Sequence, residues 1–138
     1  MVATASGRTA PNPDQYVPST PFWDGVRDGH LVLQVCLSTG RFQHFPRPVD
    51  LQTGRRDLGW REVSGRGVVY AVTVIRTPVP GFPAQTQLVV ANVELSEGVR
   101  ILGRILNRAP GEVAIGDRVA LAWDRLDDGT RYPAFEVD

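Results

Sequence analysis

The chain has 138 residues, enough for one domain or a small domain with an appendage. Apolar residues make up 42% and charged residues 22%; fifteen basic residues balance fifteen acidic ones, so no global field draws the chain to nucleic acid or an anionic membrane. Every basic residue is arginine, which excludes Schiff-base lysine chemistry.

The arginine-only usage fits either a GC-rich coding sequence or use of the bidentate and stacking contacts that arginine makes better than lysine. A single cysteine excludes an internal disulfide and fits a reducing compartment. No signal-peptide apolar region stands near the start, and no apolar run approaches the ~20 residues of a membrane span. The expectation is a soluble cytoplasmic protein with no membrane partner.

Residues 1–17 are small, polar and proline-bearing, and read as a disordered tail. Residues 18–30 read as a short helix. Thr20 suits the N-cap and Pro21 the first helical position; Phe22, Trp23 and Val26 fall at helical spacing, and Gly29 ends the helix. Residues 31–60 read as a small hairpin module. LVLQVC (31–36) and RFQHF (41–45) are strands, Pro46 and Pro48 forbid further ladder pairing, and LGWREVSG (58–65) resumes a strand.

From residue 61 the chain turns to longer strands. GVVYAVTVIRT (67–77), QLVVANVEL (87–95), VRILGRIL (99–106), RVALAWDRL (118–126) and RYPAFEVD (131–138) have strong β-propensity. Turns stand at Ser96-Glu97-Gly98 and at Asp128-Gly129, and a long connector separates the third strand from the fourth. Five strands in this arrangement predict a small closed barrel of the OB kind over 61–138, entered by a bend at Gly65-Arg66-Gly67. The fold class is therefore mainly β, with one N-terminal helix, a ribbon-like hairpin module and a five-stranded barrel.

Two turns in the hairpin module are alike: Cys36-x-x-Thr39-Gly40 and Asp50-x-x-Thr53-Gly54. They have the spacing of metal knuckles, but a structural zinc wants four thiolate or imidazole ligands. One thiolate, one carboxylate and two hydroxyls are a poor set, so Cys36, Thr39, Asp50 and Thr53 read as degenerate ligand positions without metal. His44, taken as mid-strand, is no replacement. A structural zinc contributes on the order of 10 kcal/mol to folding a small domain, so something must offset its loss. Packing of Leu37, Phe42, Phe45, Val49, Leu51 and Trp60, or a bound partner, is the expected substitute.

No catalytic set emerges. His30 and His44 read as surface or interface residues, and Asp127 and Asp128 as turn formers. Cys36 has Arg41 near it in sequence, but an activated thiolate is the weaker reading. There is no G-x-S-x-G elbow, P-loop or dinucleotide fingerprint.

The run PFWDGVRDGHLVLQVC, then G-R-x-Q-x-F-P-R-P and L-x-W-x-E-V-S-G-R-G-x-V-Y, resembles family 35 of the domains of unknown function. The stretches V-x-x-V-E-L-x-E-G-V-R-I-L and P-x-x-V-x-I-G-x-x-V extend the resemblance over residues 21 to about 137. In that family a rubredoxin-like zinc ribbon precedes an OB fold. Where it usually has four cysteines, this chain keeps only Cys36.

The resemblance implies a non-catalytic accessory subunit. Its partner would be a thiolase-superfamily chain (a thiolase, an acyltransferase or a retro-aldolase that shortens steroid side chains) acting on acyl-CoA. A hetero-oligomer is implied, with no cofactor bound by this chain and a CoA thioester as substrate of the complex. Contact residues are expected among Arg41, Arg47, Arg55 and Arg56; five arginines against two aspartates give residues 41–61 a net charge of +3, suited to CoA phosphates or an acidic partner. Phe82, in the stiff loop Thr77–Pro83, either anchors in a partner or folds back on its barrel. Phe22 and Trp23 either pack within the chain or meet the subunit. The alternative is a stand-alone OB module for acyl-CoA or single-stranded nucleic acid, with Tyr70 and Trp123 as stacking platforms, against which the neutral charge argues.

Overall fold

A computed structural model describes Arg8 and residues 19–138. The tail expected over 1–17 lies outside the described residues except for Arg8, which is held against the barrel by Asp124 and Asp127. Helix α1 spans Thr20–Asp28. Ser19, not Thr20, stands at its N-cap, and Pro21 falls in the first turn, where its missing N–H costs no bond. Gly29 closes the helix in the left-handed region at φ 83°, while the N–H of Gly29 and of His30 reach back to the carbonyls of Val26 and Gly25. The buried face is Phe22 and Val26.

The ribbon module is an antiparallel sheet of β1 (Val32–Cys36), β2 (Phe42–Gln43) and β3 (Leu58–Glu62), with β1 in the middle. The strand expected over 41–45 is cut to two residues. His44 and Phe45 leave the ladder just ahead of Pro46, which cannot donate to it, so His44 is not mid-strand. Leu31, Leu33 and Val35 are buried, and Gln34 is buried with them.

The barrel strands are β4 (Arg66–Ile75), β5 (Leu88–Leu95), β6 (Arg100–Arg104), β7 (Arg118–Arg125) and β8 (Arg131–Val137). They hydrogen-bond in the order β6-β5-β4-β7-β8. The two edges then meet: Ile105 pairs in parallel with Phe135, and the Leu106 N–H donates to the Phe135 carbonyl at 2.9 Å. The Asn107 side chain joins the same seam through the backbone N–H and C=O of Val137. This nearly closes the five-stranded barrel in the OB arrangement. A bulge between Val69 and Ala71 bends β4 so that it serves β5 along its length and β7 at its start. The expected bend into the barrel is at Gly65, whose φ is 75° and where a Cβ would strike the Leu121 side chain.

Ribbon and barrel share one core. Phe22, Val26, Leu31, Leu33 and Val63 belong to the same buried cluster as Val69, Val93, Ile101, Val119 and Phe135. The helix wedges between them and touches both β1 and β8. Among the described residues, no helix is long and apolar enough to cross a membrane.

Phe135 is fully buried at the barrel seam. Phe135→Ala is expected to cost about 3–5 kcal/mol. Ile115→Ala, at a side chain 71% exposed, is expected to stay within about 0.5 kcal/mol. Urea denaturation of both variants, compared at fixed slope, checks the pair.

Candidate functional site

The two turns of the ribbon are built alike, bond for bond. The N–H of Cys36 donates to the Arg41 carbonyl, and that of Asp50 to the Arg55 carbonyl, at 2.9 and 2.8 Å. Gly40 N–H returns to Cys36 O, and Gly54 N–H to Asp50 O. The Thr39 and Thr53 hydroxyls accept the N–H of Arg41 and of Arg55 at 3.3 and 3.2 Å. Gly40 and Gly54 have φ of 72° and 71°. The knuckle backbone is intact in both turns.

The side chains that would face a metal are otherwise engaged. Asp50, buried, accepts from the Thr53 N–H at 2.9 Å and from the Thr53 hydroxyl at 2.6 Å. The Thr53 hydroxyl bond is the main cause that holds the Asp50 carboxyl below the usual carboxylate range. Cys36, fully buried, lies 3.4 Å from the Ser38 hydroxyl and 3.8 Å from Asp57 Oδ1. Hydrogen bonds from Ser38 and Thr39 lower its thiol pKa, yet burial keeps the sulfur from any substrate. Among the described residues no group of three or more His, Cys, Asp or Glu gathers as a metal site. One thiolate beside two hydroxyls does not fit a structural zinc, which needs four strong donors.

A pair of buried amides supplies a cross-link instead. Gln43 Nε2 donates to Gln34 Oε1 at 2.7 Å, and Gln34 grips Arg47 through both its backbone N–H and C=O at 2.9 Å each. Gln43 holds the Val49 carbonyl at 3.0 Å and the Leu51 N–H at 3.2 Å. The loop 44–51 is thereby tied to β1 and β2. Neither glutamine stood out in the sequence. The signal was present: each is polar within an apolar strand pattern, and each needs partners for its amide.

With its backbone fixed, the ribbon presents a defined surface. Arg41, Arg47, Arg55 and Arg56 are all exposed. Among the described residues, three of the seven exposed large hydrophobics are here: Leu37, Phe45 and Leu51, at 55%, 63% and 66%. Their exposure corrects the expectation that they pack in place of the metal; Phe42 and Trp60 do pack against the core. Leu37 and Leu51 occupy equivalent places on the two turns, each followed by the glycine and arginine that end it.

The other expected contact residues lie elsewhere. Phe22 is 5% exposed and belongs to the core, so it offers no contact to a subunit. Trp23 is half-buried, edge-on to Phe22 at 5.0 Å and tilted over Tyr132 at 5.8 Å. Phe82 is half-buried, with the guanidiniums of Arg8 and Arg104 over its ring, 4.4 and 4.8 Å from the ring centre, so its loop folds back on the barrel. Tyr70 is covered by the Arg100 guanidinium at 3.5 Å, and Trp123 packs against the core. His30 is exposed and bonded to Glu62 at 2.8 Å. His44 lies in a crevice between ribbon and barrel with Glu94 and Arg100. Burial lowers its pKa to about 4, so its imidazole is neutral and weakly basic at pH 7.

Residues 23–49 match the rubredoxin-like zinc ribbon domain of ChsH2, and residues 60–124 match its C-terminal OB-fold domain. The alpha subunit of a 3-oxo-4,17-pregnadiene-20-carboxyl-CoA hydratase from Mycobacterium tuberculosis is 38% identical over 85% of this chain. This chain spans 37% of that subunit's length. A DUF35 domain-containing scaffold protein of Methanocaldococcus jannaschii is 32% identical, over 78% of this chain and 80% of the scaffold protein. Among solved structures, a chain of the Ltp2-ChsH2(DUF35) aldolase superposes with a TM-score of 0.78 at 31% identity, covering 94% of this chain and 98% of that one.

The Asp50 turn predicts an acid-labile ribbon. A carboxylate whose pKa is lowered by folding stabilises the fold above the unfolded value of ~3.9, and loses that contribution as pH falls through the folded value. Asp50→Asn should therefore melt lower than the parent at pH 7, and the gap should close toward pH 2. Thermal melts at intervals between those pH values check it; parallel curves would contradict the role.

Proposed function

The chain belongs to the DUF35 scaffold family, and on that premise we propose that it is a non-catalytic subunit that docks on a thiolase-superfamily enzyme acting on an acyl-CoA. The observation that carries the reading is the ribbon surface. Two matched turns hold Leu37, Phe45 and Leu51 out to solvent beside Arg41, Arg47, Arg55 and Arg56. Exposed apolar side chains on a fixed frame, ringed by arginine, have the composition of a protein interface.

The likeness to a chain of the Ltp2-ChsH2(DUF35) aldolase, 31% identical with a TM-score of 0.78, supports an aldolase as the partner activity. The substrate we assign is a bulky CoA thioester of the steroid side-chain class, handled in the cytoplasm by the partner's active site. The arginines meet either an acidic patch of the partner or the phosphates of CoA.

Copurification of the tagged chain from its native lysate, with the intact mass of the complex, tests the reading. A thiolase-like chain in fixed ratio is expected. The double variant Leu51→Asp, Arg55→Glu should weaken that complex at least tenfold, about 1.4 kcal/mol, with the fold retained. Recovery of the tagged chain alone, or equal affinity of the variant, would sink the proposal.

A further inference from the structure

An OB barrel takes up its ligands on the face of its second and third strands, flanked by the loops between strands one and two and between four and five. In this barrel those parts are β5, β6, the loop 76–87 and the loop 126–130. Arg8, far away in sequence, lies there. Its guanidinium straddles the carboxylate of Asp124, with Nη1 on Oδ1 at 3.3 Å and Nη2 on Oδ2. The same guanidinium stacks on Phe82 of the first loop. Its backbone pairs with Asp127 of the second: the Arg8 N–H donates to Asp127 Oδ2 at 2.9 Å, and its C=O accepts the Asp127 N–H at 3.1 Å.

The receiving groups form a built pocket. The Asp124 side chain is 10% exposed, and burial alone would raise its pKa. Hydrogen bonds from Arg8 and Arg104 outweigh that and keep it ionised. Arg104 holds the carboxylate as well, with Nη1 2.9 Å from the same Oδ2, and Arg104 also stacks on Phe82. Gly81 leaves the room: a Cβ there would collide with Arg8 Cγ. Val90, Leu102 and Tyr132 line the rest of the groove. A buried fork acceptor, an aromatic face and a two-way backbone contact select arginine over lysine, since an ammonium cannot satisfy both carboxylate oxygens and a ring together.

We propose that the ligand face of this barrel is an arginine-recognition site, specific for an arginine within a peptide, and that its resident occupant is the chain's own Arg8. The proposal stands on the barrel alone and does not depend on the ribbon's docking role. It makes the face through which OB folds take up oligonucleotides a filled one in this chain.

The test uses the full-length chain and its Arg8→Ala variant, each titrated with the peptide ATASGRTAPNP, which repeats residues 3–13. Amide resonances of Gly81 and Asp127 are the readout. The variant should bind the peptide saturably, and the parent at least tenfold more weakly, because its site is occupied. A peptide with lysine in place of arginine should not bind the variant. In the parent, the Arg8 guanidinium should show slowly rotating, separately resolved Nη signals, which Phe82→Leu weakens. The proposal fails if the variant ignores the peptide, if parent and variant bind it equally, or if the lysine peptide binds as well. It fails too if the variant takes up single-stranded oligothymidylate in preference to the peptide.

Discussion

The hydrogen-bonded pair Gln34–Gln43 is the constraint on which the ribbon depends. Two buried amides, Gln34 on the middle strand and Gln43 on the edge strand, hold the N–H and C=O of Arg47, the C=O of Val49 and the N–H of Leu51. A neutral buried hydrogen bond contributes only about 1 kcal/mol net, but leaving one of these groups unpaired would cost more. The network therefore specifies one loop conformation more strongly than it stabilises the fold. In a rubredoxin-like ribbon a metal would tie the two turns together; here amides tie the loop and carboxylate and hydroxyl caps hold each turn.

What the amides do not supply, the barrel does. A three-stranded sheet of this size cannot bury enough apolar surface alone. Leu31 and Leu33 from β1 and Val63 after β3 enter the same cluster as the barrel interior, with Phe22 and Val26 of the helix filling the wedge. Ribbon and barrel are thus rigidly joined, and the exposed ribbon surface is presented at fixed geometry. Pre-organisation of this kind lowers the entropic cost of docking. The four arginines and three hydrophobics of that surface are exposed.

The architecture was largely legible in the sequence. Runs such as GVVYAVTVIRT and QLVVANVEL identify their strands by β-branched content, and paired prolines and glycines mark the breaks. The identical spacing of Cys36-x-x-Thr39-Gly40 and Asp50-x-x-Thr53-Gly54 exposed the twin turns. Local chemistry sufficed there because a knuckle is a local object, made by five consecutive residues and a left-handed glycine.

Side-chain destinations were another matter. Phe22 and Phe82 are both phenylalanines beside proline, yet one is core and the other lies against two arginine guanidiniums, and no local pattern separates them. Leu37, Phe45 and Leu51 looked like packing residues and are exposed, because the Gln pair and the barrel had already filled that task. Arg8 sits in a stretch whose composition promises nothing, and its partners Phe82, Asp124 and Asp127 are distant in sequence. Propensity and spacing, which act over a few residues, determined the elements and the turns. Which element covers which face is set by long-range packing and by where buried polar groups find partners, and only the tertiary structure decided that.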